Sequence, residues 1–235
     1  MAMLPYIVKT MNHVTREGTQ FTERTSGLGD LEVRGIYSLH ARKDLRHRFL
    51  LNAGIGLPTG SINQRMGEVR HHRLEYPMQL GSGTFSLLPG FTYLGQVLPW
   101  GWAADFGSTV RLGRNANGYR LGNRYQSGVS ITRQLKHSIS LSGGARGEFL
   151  KNIRGADSLL DPTDEPTKDP NMQGGKLLSA LFGFTFHPEE GVFKGQHFHL
   201  QSEVPVVQSL NGPQLQKRWI LRLGWQLEFG PYKHF

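Results

Sequence analysis

Twelve charged residues recur at alternating positions in segments that otherwise read as apolar: Glu32, Arg34, Arg48, Asp105, Arg111, Arg124, Arg146, Glu148, Glu203, Arg218, Arg222 and Glu228. Seven are arginines and five are carboxylates. An arginine stays charged, and its planar fork matches a carboxylate, so cross-strand pairs of the two would brace a narrow, wet lumen without closing it. A surplus of arginine lowers the barrier for anions and raises it for cations. The plainer alternative is that such pairs only fill the interior of a small barrel.

Other residues offer less. His71 and His72 with Met66 and Met78, and Met11 with His13, combine imidazole and thioether, the donors that suit a soft metal such as copper. Their spacing defines no ligand set, and loop histidines are as a rule solvated. His197 and His199 share a strand face without an identifiable third ligand, so a place in a lumen lining is expected. Gly81-Ser82-Gly83-Thr84 lacks the Gly-Lys-Ser/Thr ending and the following helix of a phosphate loop. His137 and Ser138 are adjacent and so face opposite sides of a strand, which removes the obvious base and nucleophile pair. No catalytic residue, cofactor or metal is assigned, and no enzymatic activity is expected.

The elements that would carry the charged set are strands. From Lys217 to Phe229, Trp219, Leu221, Leu223, Trp225, Leu227 and Phe229 alternate with Arg218, Ile220, Arg222, Gly224, Gln226 and Glu228. Alternation sends the two sets to opposite faces, one suited to hydrocarbon and the other to water. Nine further segments behave similarly: Ala2–Met11, Asp30–His40, Arg48–Leu57, Thr84–Gln96, Gly101–Leu112, Asn123–Arg133, His137–Asn152, Lys176–His187 and Gln196–Gln208. Roughly ten residues at about 3.3 Å each, tilted by about 40°, span about 25 Å, the height of an outer-membrane barrel's apolar band. Trp100, Trp102, Tyr93, Trp219 and Phe229 fall near strand ends, where amphipathic rings prefer the headgroup level.

The connections alternate too. Long polar loops are expected at Asn12–Gly29, Pro58–Gly83, Gly113–Gly122, Ile153–Gly175 and Ser209–Gln216, with short links at Ala41–His47, Val97–Trp100, Gln134–Lys136 and Pro188–Gly195. Strict alternation of long and short marks an up-and-down outer-membrane barrel, with long loops outside and short turns in the periplasm. The acidic loop around Asp157, Asp161, Asp164, Glu165 and Asp169 could bind calcium loosely or be mobile, and mobility is the expectation.

Composition agrees. The 235 residues hold no cysteine and 30 glycines, and their net charge is +9. The absence of Cys removes disulfides, thiolate metal sites and cysteine nucleophiles together. The mean hydropathy of −0.40 is compatible with a barrel, because barrel strands alternate. Nucleic acid is not an expected partner, since the aromatics alternate with the charges instead of clustering with them. Arg65, Arg70, Arg73 and Arg114 in the long loops would meet anionic lipopolysaccharide. Met1 leads into Ala2–Val8 without the basic region, apolar core or cleavage site of a signal peptide. The expectation is a single all-β, antiparallel up-and-down transmembrane β-barrel over residues 1–235, preceded in its parent by a signal peptide and a first hairpin. About ten strands are visible, and the parent would have about twelve.

Four stretches carry a family resemblance: Thr25-Ser26-Gly27-Leu28-Gly29-Asp30, Gly56-Leu57-Pro58-Thr59-Gly60, Tyr76-Pro77-Met78-Gln79-Leu80-Gly81-Ser82-Gly83-Thr84 and Tyr119-Arg120-Leu121-Gly122. Together they resemble the meta-pathway phenol degradation family of bacterial outer-membrane proteins. That resemblance implies an outer-membrane channel for small, often aromatic or hydrophobic compounds, with a signal peptide and a His- and Met-rich segment ahead of the first strand. It brings no catalytic residues.

Overall fold

The computed structural model describes residues 1–14, 18, 20–41, 46–65, 73–188, 190–214 and 216–227. Its strands are β1 (Ala2–Met3), β2 (Tyr6–Val14), β3 (Gln20–Leu28), β4 (Leu31–Ala41), β5 (His47–Leu57), β6 (Ser86–Leu87), β7 (Gly90–Val97), β8 (Trp100–Arg111), β9 (Arg124–Lys136), β10 (Ile139–Leu150), β11 (Gly175–Phe186), β12 (Gln196–Leu210) and β13 (Ile220–Leu227). One sheet of 11 strands forms the wall, with each neighbouring pair antiparallel. β6 and β7 both lie between β5 and β8 and are two pieces of one strand interrupted at Leu88-Pro89, so 11 strands make ten staves. Within the described residues β1 and β13 are the two edges.

The sheet curls until residues near both edges share one interior. Met3 of β1, Glu32 of β4, Arg111 of β8, Arg124 of β9, Glu148 of β10 and Lys217, just before β13, line a single cavity of ≈ 590 Å³. The architecture is therefore the expected antiparallel β-barrel.

Burial is inverted relative to a water-soluble sheet. Outward residues at mid-strand lie bare, with Val129 and Phe182 each 59% exposed and Leu223 79% exposed. The buried apolar side chains sit chiefly in loops: Leu74, Tyr76, Met78, Leu80, Tyr119 and Leu160. A sheet folding in water packs its apolar face inward, and a continuous bare belt far exceeds what a soluble monomer leaves open. The solvent that satisfies this belt is hydrocarbon.

The amino terminus departs from expectation. Ala2–Met11 is not one wall strand: only β1 pairs with β4, and β2 leaves the wall to form a separate two-stranded sheet with β3. The break falls at Pro5, which has no N–H to give a ladder, and the Pro5 carbonyl accepts from Gly29 N at 2.8 Å where the hairpin departs. β3 occupies much of the stretch expected as the loop Asn12–Gly29. Its alternation is hidden because its buried face carries Phe21, Glu23 and Thr25 in place of a run of aliphatics.

Because Val129 lies at the middle of β9 on the lipid face, Val129→Arg is expected to cost about 2–4 kcal/mol of unfolding free energy, as cations do at a bilayer midplane. Its inward neighbour Ser130, changed to Asn, should cost well under half of that. Urea unfolding in lipid vesicles, followed by tryptophan fluorescence, makes the comparison.

Candidate channel lumen and its inward loop

Strand register fixes which charges meet inside. β9 and β10 pair Gln126 with Glu148, which leaves Arg124 diagonal to the same carboxylate. Arg124 Nε donates to Glu148 Oε2 at 2.9 Å, Gln126 Nε2 donates to the same oxygen at 3.0 Å, and Lys217 Nζ reaches Oε1 at 2.9 Å. Further down the wall Glu203 of β12 accepts from Arg222 Nη1 of β13 at 2.7 Å and from Arg146 Nη1 of β10 at 3.1 Å. Arg146 passes over β11 at Ser179, its register partner, whose small, fully buried side chain leaves room for the arch.

On β4, Arg34 donates to Glu32 through Nε at 3.2 Å and Nη2 at 2.9 Å. Gly54 stands opposite Arg34, and a Cβ there would lie 2.8 Å from Arg34 Cγ. Arg111 donates to the Gly122 carbonyl instead of a carboxylate. Asp105 faces Gly128 across the β8–β9 pair. Arg48 lines a groove at the short-turn end with Gln96 and Gln134. Arg218 lies just before β13, and Glu228 is outside the described residues.

So the structure gathers Arg124 with Glu148, Arg146 with Glu203 and Arg222, and Glu32 with Arg34; Arg111 shares the cavity with Glu32, Arg124 and Glu148, and Arg48 lies in a separate groove. Lys217 is a further member. Alternation assigns it to the Trp219 side, but it precedes β13, where strand parity no longer binds its side chain.

The cavity is roofed by the loop Pro58–Gly83, whose segment from Leu74 to Ser82 turns inward: Tyr76, Pro77, Gln79, Leu80, Gly81 and Ser82 line the cavity together with the wall residues. Asp30 anchors this turn. Its carboxylate accepts from Gly60 N at 3.0 Å, Ser82 N at 2.8 Å and Ser82 Oγ at 2.6 Å. Gly60 and Gly81 pass so closely that a Cβ on Gly60 would lie 2.7 Å from Gly81 Cα. From above, Lys9 Nζ donates to the Pro77 carbonyl at 2.7 Å, and Thr25 Oγ1 donates to the Met78 carbonyl at 3.0 Å. Burial lowers the Lys9 pKa from its ordinary value.

The other long loops interlock with this one. Tyr76 and Tyr119 meet edge to face at 4.9 Å, and Ile153 and Leu160 complete the cluster. Burial pushes the Tyr119 phenol up to about 12. The Asp157 backbone N–H donates to the Tyr76 hydroxyl at 3.1 Å, while the Asp157 carboxylate pairs with Arg73. The acidic loop is packed at Asp157 and Leu160, because its apolar residues have the Tyr76 cluster to bury against, while Asp161 and Asp164 stay exposed.

Met11 and Met78 pack with Leu74 in a hydrophobic cluster, and His13 turns toward Glu23 at 3.3 Å. Met66, His71 and His72 lie outside the described residues. His187, His197 and His199 stack in sequence, with ring centroids 5.6 and 6.3 Å apart.

Ten staves that are apolar outside and charged inside, with an inward loop across one end, have the architecture seen in outer-membrane β-barrels. An outer membrane channel from Pseudomonas putida F1 has a similar fold, with a TM-score of 0.64 over 94% of this chain and 72% of that chain, at 11% sequence identity. No protein-family profile matches the chain, and no curated protein matches it.

Hydrogen bonds to a charged group contribute about 1.5–3 kcal/mol each, and Asp30 accepts three. Asp30→Ala is therefore expected to release the inward loop while the wall stays folded. Trypsin should then cleave within Pro58–Gly83 at least about tenfold faster than in the wild type, with the heat-modifiable gel band retained.

Proposed function

We propose that this protein is an outer-membrane channel that passes small solutes through its charged lumen. The observation that carries the reading is the ≈ 590 Å³ cavity between the inward loop and the wall. Its lining combines apolar surface from Tyr76, Leu121, Leu150 and Ile153 with the cations Arg111, Arg124 and Lys217. A small aromatic or hydrophobic compound bearing an anionic group suits both parts. Such solutes fall within the class implied by the family resemblance, and the likeness to an outer membrane channel supports the conduit role.

Charge balance supports a direction of selectivity. Glu148 is shared between Arg124 and Lys217, and Glu203 between Arg146 and Arg222, so each carboxylate answers two cations. The residual field is positive and favours anions. The bare belt faces outer-membrane lipid, and Arg114 in a long loop faces the anionic lipopolysaccharide headgroups. The protein acts as a conduit and not as a catalyst.

In planar bilayers with a potassium chloride gradient, the folded protein is expected to give discrete conductance steps with a reversal potential on the chloride side. Glu148→Gln should move that potential further toward chloride. A reversal potential on the potassium side would overturn the anion preference, and a folded, heat-modifiable protein without steps would overturn the channel.

A further inference from the structure

The β2–β3 hairpin meets the inward loop at a polar cluster that conduction does not use. Register pairs Met11 with Glu23 and His13 with Phe21, so these four residues share the buried face of the hairpin. The Phe21 ring stacks on His13 at 4.8 Å with planes 4° apart, which holds the imidazole in one orientation. Glu75 of the inward loop completes a trio whose ligand atoms all lie within 4.8 Å of one another.

The trio is not a hydrogen-bond network. His13 Nε2 and Glu23 Oε2 are 3.3 Å apart, yet each is buried without a hydrogen-bond partner, and so is Glu75 Oε2. Glu23 is 6% exposed and Glu75 3%. Buried polar atoms are nearly always satisfied, because leaving a charged one unmade costs several kcal/mol. Three such atoms converging on one point indicate something that all three can share.

Carboxylates crowded this closely cannot all stay ionised alone. A divalent cation resolves the same conflict with the carboxylates ionised. Two ligands bound at 2.0–2.1 Å on a tetrahedral ion stand about 3.3–3.4 Å apart, and His13 Nε2 and Glu23 Oε2 already have that separation.

We propose that His13, Glu23 and Glu75 bind a divalent transition-metal cation such as Zn2+, with water in the fourth position, and that the ion staples the hairpin to the inward loop. One imidazole with carboxylates suits a borderline cation. Soft copper is disfavoured here because the nearby thioethers of Met11 and Met78 are committed to the Leu74 cluster. The proposal stands whether or not the lumen conducts.

The test uses the full chain in detergent, stripped with a chelator and titrated with Zn2+ by calorimetry alongside elemental analysis. The expected result is one Zn2+ per chain, not displaced by equimolar Ca2+, with affinity at least about tenfold weaker in His13→Ala and in Glu75→Gln. Zn2+ should also slow trypsin cleavage within Pro58–Gly83 in the wild type and not in either variant. Absence of stoichiometric binding, affinity unchanged in both variants, or displacement by Ca2+ would overturn the site. The heat-modifiable band reports folding, and the near-isosteric Glu75→Gln decides the matter if His13→Ala does not fold.

Discussion

In hydrocarbon every backbone N–H and C=O of a membrane wall must be satisfied inside the sheet, and every outward side chain must be apolar. Strand alternation then leaves the lumen as the place for the charges of Arg124, Arg146, Glu148, Glu203 and Arg222. Arg124 meets Glu148 and Arg222 meets Glu203 across neighbouring staves, but other pairs skip staves. Arg146 spans from β10 to Glu203 on β12, and Lys217 spans from the approach to β13 back to Glu148 on β10. The arch of Arg146 needs a small residue beneath it, which is the part played by Ser179, and Gly54 leaves room for Arg34 where it folds back onto Glu32. The inner face of the wall is therefore a set of long charged side chains seated in gaps left by short ones.

The second level of order depends on Asp30. It stands at the junction of the hairpin with β4, and its carboxylate holds both ends of the inward turn, at Gly60 and at Ser82. Thr59 ties the same junction, donating through Oγ1 to the Gly29 carbonyl at 2.9 Å and accepting from Leu31 N at 2.9 Å. Gly29-Asp30, Thr59-Gly60 and Gly81-Ser82, which lie far apart along the chain, meet in one knot at the barrel mouth. Three of the four stretches that carry the family resemblance converge there, which gives them a common structural purpose: they bend a long loop into the lumen and hold it.

With that loop in place the mouth acquires what the wall lacks, a conventional core. Tyr76, Tyr119, Ile153 and Leu160 bury one another, and Met11, Leu74 and Met78 seat the hairpin on the loop's upper side. The hairpin is polar on its buried face because it packs on loop backbone, where Lys9 and Thr25 find carbonyls to bond.

Much of this was legible from residues alone. Alternation along the strands, together with loops that switch between long and short, points to a barrel and its apolar outer face and to the inward direction of Arg124, Arg146, Glu148, Glu203 and Arg222, because side-chain direction in a strand depends only on parity. Parity fails where strands end or leave the wall, which is why Lys217 and β3 were not legible. Nor does parity report distance. That Glu148 binds Lys217 across two intervening strands, that Asp157 is buried against Arg73, and that His13, Glu23 and Glu75 converge are facts of register, curl and loop packing. Sequence determined which face each strand residue points to; tertiary structure alone decided which of them touch, since contacts across a closed interior join positions whose separation along the chain carries no signal.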